Sequence, residues 1–300
     1  MRYTVSVVKS NSHYDGVSSA LKLIEGQIDA GVEDKKRVLV KPNFVSTHRQ
    51  LAATHVDAVR AVLDTLRRHY AGKITVAEGP SFGRLEDGLR NFNYLQLKDS
   101  YDIEFLDLNE DDYVEVEALD QNMKHMKLRM SKAVIESDYR ISVAVPKTHD
   151  RFIATLSIKN MAVGSLTGHY KGRVHFGYSY QDASLRAANL NIAMMAQKVM
   201  PGLGVVDGYV GMEGKGPGSG EQVDFRVAAA SIYPVSLDAV MAEIMGFNPQ
   251  DIGYLHFLHE WTKCPIDPDA VEILGVSVKE VARKFKHHPR YRDMLQWKDG

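Results

Sequence analysis

Lys147, His149, Lys159, His169, Lys171, Arg173 and His175 crowd one stretch of this chain. An imidazole can trade a proton near neutral pH or bind a metal, and a lysine in a dry pocket can attack a carbonyl or hold an anion. His149, Lys159, His175 and Lys147 therefore form the candidate catalytic set. Ten residues separate His149 from Lys159, and sixteen more reach His175. A helix beginning just after His149 sets Lys159 about two turns further along, so the following loop must fold back to return His175. No helical histidine pair of metal-site spacing occurs in the cluster. A solvated basic loop is the competing reading of the same residues.

A second group is acidic and rich in glycine: Asp207-Gly208, Glu213-Gly214 and Gly216-Pro217. Backbone amides in such a loop can approach a phosphate or carboxylate closely, while carboxylates at a strand end can hold a divalent cation. His175, Asp207 and Glu213 are the metal-ligand candidates on this reading; a plain surface loop is the alternative. The loop is neither a Walker loop nor a dinucleotide fingerprint. Two further motifs, Lys41-Pro42-Asn43 and Glu78-Gly79-Pro80, follow apolar runs. Lys41, Asn43, Glu78, Gly79, Thr148, Asn160, Gly214 and Gly216 complete the expected ligand-binding set. Thr54 and His55 read as a helix cap. Asp238, among apolar neighbours, needs a buried partner.

These groups require elements to carry them. Val5 to Val8, Val38 to Val40, Ile74 to Ala77, Ile141 to Val145 and Leu203 to Val206 read as short buried strands. Helical periodicity covers 16–29, 56–69, 183–199 and 236–245, and a helix-like segment from about residue 152 carries Lys159-Asn160. Gly164 to Tyr180 and Gly211 to Gly220 read as loops. The alternation predicts an α/β fold: a mainly parallel, mixed, Rossmann-like sheet with helices on both faces, whose ligands bind beyond the carboxyl ends of the strands. We expect one domain over 1–300, with a strand-rich insertion near 103–130 and a basic helical tail near 276–300. The tail offers a face to its own domain or to a second copy of the chain.

Composition narrows the partners. Lys plus Arg number 37 against 38 Asp plus Glu, a balance without the basic footprint of a nucleic-acid or acidic-membrane binder. The single cysteine, Cys264, excludes an intramolecular disulfide and any iron–sulfur cluster held by four cysteines of this chain. No apolar run approaches the ~18 residues of a membrane span, and the first residues read as a strand rather than a leader, so a cytoplasmic setting is expected.

Taken in order, Val-Leu-Val-Lys41-Pro42-Asn43, Ala77-Glu78-Gly79-Pro80, Val145-Pro146-Lys147-Thr148-His149, Ser157-Ile158-Lys159-Asn160, Val206-Asp207-Gly208, Glu213-Gly214-Lys215-Gly216-Pro217 and Leu237-Asp238-Ala239-Val240 resemble the domain of unknown function 362 family. The likeness spans about 36 to 255. Many members carry a ferredoxin-like iron–sulfur module whose cysteines this chain lacks. The chain is also similar, more weakly, to the catalytic domain of lactate racemase, where a histidine, a lysine and another histidine serve a nickel-pincer nucleotide. That resemblance implies His149 as acid/base, Lys159 as the cofactor-anchoring amine and His175 as a nickel ligand. It departs where the racemase has another histidine after its third strand and this chain has Glu78-Gly79-Pro80, and where the loop around Lys159 lacks a run of glycines.

The expectation is an enzyme binding a small anionic ligand, carboxylate or nucleotide-like, at the sheet's carboxyl edge, with a divalent metal admitted by the donor set. The alternative is a non-catalytic cofactor-binding or maturation protein using the same pocket.

Overall fold

A computed structural model describes residues 2–299. The order starts β1 (Thr4–Lys9), α1 (His13–Lys22), α2 (Glu25–Val32), β2 (Val38–Lys41), α3 (Val56–Leu66), β3 (Ile74–Glu78), α4 (Leu85–Asn91) and β4 (Ile103–Asp107). Two strands, β5 (Tyr113–Leu119) and β6 (His125–Ser131), form a separate antiparallel pair. The central run is α5 (Lys132–Glu136), β7 (Tyr139–Ala144), β8 (Lys147–His149), β9 (Ile153–Thr155), α6 (Ser157–Gly164), α7 (Tyr170–Phe176) and α8 (Leu185–Val199). It continues through β10 (Leu203–Glu213), β11 (Glu221–Ser231), α9 (Pro234–Ile244), α10 (Gly253–Thr262) and β12 (Glu272–Gly275).

The large sheet runs β12-β1-β11-β10-β7-β2-β3-β4. Its β10-β7-β2-β3-β4 portion is parallel, as is β12 on β1, while β11 lies antiparallel to both β1 and β10. Strand alternation feeds two apolar layers: Val38 and Val40 join one with α1, α2 and α3, and Leu39 joins the other with α6, α8, α9 and α10. The mainly parallel, mixed α/β sheet covered on both faces is the architecture that the sequence pattern predicts.

Several boundaries differ from the sequence reading. The periodic stretch 16–29 is two helices, broken at Leu23–Ile24. The insertion is confined to β5 and β6, because β4 pairs in parallel with β3. No helix starts after His149; instead β8 and β9 form an antiparallel hairpin, and α6 begins at Ser157. Its start is fixed by Asp238 of α9, whose carboxylate accepts from the Ser157 amide (3.0 Å), the Ser157 hydroxyl (2.5 Å) and the Ile158 amide (2.9 Å). That is the buried partner Asp238 required. The stretch expected to be loop from 164 to 180 contains α7, bounded by Gly168 and Gly177, both at positive φ. β10 runs on to Glu213, so the glycine loop shortens to residues 214–220.

The tail beyond residue 276 is not one amphipathic helix. It has short helices at Val278–Val281 and Tyr291–Met294, and it packs on its own chain. Phe285 meets Phe225 edge-on, and the Trp297 indole donates to the Asp251 carbonyl at 2.8 Å. His287 packs at a tilt against Tyr291, 4.1 Å between ring centroids.

Candidate active site

The parallel strands end together, and their polar residues meet. Lys41 at the end of β2 is fully buried and ion-pairs with Glu78 at the end of β3. The Lys41 amine also donates to the Pro42 carbonyl and to Asn160 Oδ1, each at 3.1 Å. Asn160, on the first turn of α6, returns its amide to the Lys41 carbonyl (3.2 Å) and to Ser142 Oγ (3.0 Å). Asn43 donates to Asn160 Oδ1 at 3.2 Å and accepts from the Lys147 amine. One buried polar network thus ties β2, β3, β7, β8 and α6, with each member satisfied by another. Burial lowers Lys41 and raises Glu78, in each case outweighing the pull of the partner. Burial and the charge of Lys159 bring Lys147 down to about 7.

Above this floor lies a cavity of about 740 Å³, walled by α6, α7, the β8–β9 turn and the loops after β2 and β3. Asn43, Glu78, Gly79, His149, Lys159, Asn160 and His175 all line it. The Lys159 amine has no hydrogen-bond partner among the described residues and sits 5.2 Å from the Phe152 ring centroid. Burial brings it down to about 8. The rings of His149 and His175 stand edge to face at 5.6 Å, with Phe152 beside both at 5.0 and 5.1 Å. His149 is brought to about 3, first by burial and then by Lys159, so its ring is neutral. His175 is lowered for the same two reasons, and its Nε2 is buried without a partner.

His149 Nδ1 accepts from the Arg151 amide at 3.1 Å and lies 2.9 Å from Asp150 Oδ1. Nδ1 serves one of the two at a time: bare, it accepts from the Arg151 amide, and protonated, it donates to the Asp150 carboxylate, which stabilises the imidazolium. Burial works to raise Asp150, but His149, His175 and Lys159 together carry it below the usual carboxylate range. Lys171, brought to about 8 by burial, enters from α7 and donates to Asn109 Oδ1. Gly79 makes room for it: a Cβ there would sit 2.9 Å from the Lys171 amine.

The sequence set divides accordingly. Lys41, Lys147 and Thr148 lie behind the cavity wall, Lys41 and Lys147 inside the network and Thr148 bonded through its hydroxyl to the Gly214 carbonyl at 3.0 Å. Gly214 and Gly216 back the β8 strand rather than open on the cavity, and a Cβ at Gly216 would meet the Thr148 carbonyl at 2.2 Å. The proposed metal set does not converge. Asp207 turns to the α1 face, 2.6 Å from His13 Nδ1, because β10 continues past it instead of ending there. Glu213 accepts the Lys286 amide at 2.9 Å. Among the described residues no three His, Cys, Asp or Glu side chains are placed to hold a metal. Asp150, Arg151 and Asn109 escaped the sequence reading; the only available signal for the first two was a charged pair directly after Lys-Thr-His and ahead of an apolar run.

Fold and geometry together define an α/β protein with a lysine- and histidine-lined cavity at the carboxyl edge of a mostly parallel sheet. The chain belongs to the family described as a domain of unknown function (DUF362), whose model matches residues 38–243. A thylakoid-associated protein of Synechocystis sp. is 29% identical over 302 residues, covering 98% of this chain and 87% of that protein. The lactate racemase apoprotein from Thermoanaerobacterium thermosaccharolyticum shares the fold, with a TM-score of 0.51 and 15% identity over 79% of this chain. The matched part spans 56% of that racemase chain. Among the described residues no helix is long and apolar enough to cross a membrane.

Proposed function

We propose that this protein is an enzyme that binds a small anionic molecule in the cavity between α6 and α7 and moves a proton on it. The carrying observation is the Lys159 amine, which opens on the cavity without a protein partner, beside His149 and His175. An unpaired cation in a largely water-excluded wall is a strong anion anchor. His149 serves as the acid/base, with Asp150 ready to balance the imidazolium.

A nickel-pincer nucleotide tests differently at two places. The free Lys159 amine and the unpartnered Nε2 of His175 suit a tethered cofactor with one imidazole ligand. The end of β3, however, holds Glu78, engaged by Lys41, and Gly79-Pro80 follow, so the racemase's second acid/base histidine has no counterpart and no step of the reaction is assigned to that group. By analogy with the racemase's substrate, a 2-hydroxy carboxylate is the first ligand to try. Calorimetric titration with lactate, malonate and inorganic phosphate tests the reading. Lys159→Met is expected to lose at least ~10-fold in affinity for the best of these; unchanged affinity in that variant removes Lys159 from the site.

A further inference from the structure

Arg151 sits at the β8–β9 turn, 5% exposed, with its guanidinium carbon 4.8 Å from the centre of the Phe176 ring. Its Nε and Nη2 are both buried and neither has a hydrogen-bond partner. Those two nitrogens form one edge of the guanidinium, where their N–H bonds run parallel and grip two oxygens of a carboxylate or phosphate at once. Arg173 of α7 leaves a single buried nitrogen, Nη1, unpartnered, whereas Arg140 is satisfied. Arg140 gives its guanidinium to the carbonyls of Val134 (3.0 Å) and Ser137 (2.7 Å). A buried guanidinium edge left open is costly. Burial and the positive charge of Arg290 work against its charged form, and Asp150 and Tyr180 offset them only in part. Arg151 itself lies behind the cavity wall, which is formed here by Phe176 and by His175, whose Nε2 is also open.

We propose that Arg151 is a ligand-binding residue whose Nε–Nη2 edge takes an oxyanion of the cavity's ligand, in a subsite beneath the Phe176 end of α7. The proposal rests on the anionic-ligand reading above and adds a second, bidentate anchor to it. Asp150 and His149, which precede Arg151 directly, both line the cavity, so the subsite adjoins the acid/base imidazole. Phe176 both lines the cavity and packs against the Arg151 guanidinium, so a ligand reaching that edge from the cavity has to displace it, and the glycines flanking α7, Gly168 and Gly177, are where the helix can give.

The test uses the full chain, with inorganic phosphate and malonate titrated separately into the wild type and into Arg151→Met, Arg151→Lys and Lys159→Met, alongside thermal melts without ligand. Arg151→Met and Arg151→Lys are both expected to lose at least ~10-fold in affinity for one probe, because lysine keeps the charge and loses the fork. The probe that suffers names the oxyanion as phosphate or carboxylate. The ligand-free Arg151→Met protein is expected to melt at or above the wild-type temperature, since an unpaired buried charge has been removed. Unchanged affinity for both probes in both Arg151 variants overturns the proposal. So does a lowered melting point that Arg151→Lys restores, which marks a structural arginine. Lys159→Met separates the two readings: its affinity unchanged while the Arg151 variants lose theirs refutes Lys159 as the anchor and leaves Arg151 standing, and the reverse refutes Arg151 alone. If the wild type binds neither probe, both readings fall.

Discussion

Lys41→Met breaks the ion pair at the centre of the buried network. The structure says which atom suffers. Asn160 Oδ1 loses one donor but keeps the Asn43 amide at 3.2 Å, so the cost concentrates on Glu78, left without its counter-ion. Removing one member of a buried pair costs about 3–5 kcal/mol, a large share of the ~5–15 kcal/mol that a native protein holds in reserve. Replacing both members removes the orphan, so Lys41→Met with Glu78→Gln should cost less than Lys41→Met alone, a coupling of roughly 2 kcal/mol. The penalty also has a pH sign. Burial already raises Glu78 in the native protein, and without Lys41 it is raised further. A carboxyl raised on folding contributes stability below its unfolded value, near 4.5, and loses it as pH climbs through the folded one. The Lys41→Met penalty should therefore be smaller at pH 5 than at pH 8. Urea unfolding with a constant slope measures all three quantities. Additive costs for the two substitutions, or a single cost below ~1 kcal/mol, would refute a coupled buried pair.

Two further outcomes follow from the same site. Affinity for phosphate or malonate should fall as pH rises from 7 to 9, because Lys159 and Lys171, both near 8, give up the protons that attract the anion; calorimetry across that range checks it, and a flat profile counts against either lysine as an anchor. Gly164→Ala places a Cβ 2.5 Å from the Lys41 amine and 2.6 Å from its Cε. The crowding should cost ~1–3 kcal/mol in thermal melts, whereas Gly26→Ala, in a helix with nothing within 4 Å, should be neutral or stabilising by up to ~1 kcal/mol.

The parallel half of the fold was readable because β2, β3 and β7 are short apolar runs punctuated by Lys41-Pro42, Glu78-Gly79-Pro80 and Val145-Pro146. Their shared edge brings Asn43, Glu78 and His149 to one cavity, while Lys147 and Thr148 of the same segment lie behind its wall. The β8–β9 hairpin was not readable. Its strands are three residues each, and their pairing depends on β10 alongside and on Met294, whose sulfur accepts the Ile153 amide at 3.3 Å. Ile153 adopts a φ of 67°, a left-handed conformation that its branched side chain disfavours and that local sequence gives no hint of. α7 hid for a related reason: only Val174 of its residues is buried, so it carries no apolar stripe to detect. The Asp207 expectation failed on strand length. A carboxylate at a strand end faces the opening, but β10 continues for six residues beyond Asp207, whose side chain then meets His13, far away in the chain.

The seating of β1 between β11 and β12 sets an order of assembly. Its hydrogen-bonding neighbours come from residues 221–231 and 272–275, so β1 waits for strands made long after it. Until then Val5 and Val7 lack that cover, and β1 offers open edges to any passing strand. Pairings of such long sequence separation are slow to close. The nascent chain is thus most exposed to misassembly just before its final seam is sewn, with the pocket's parallel half already built.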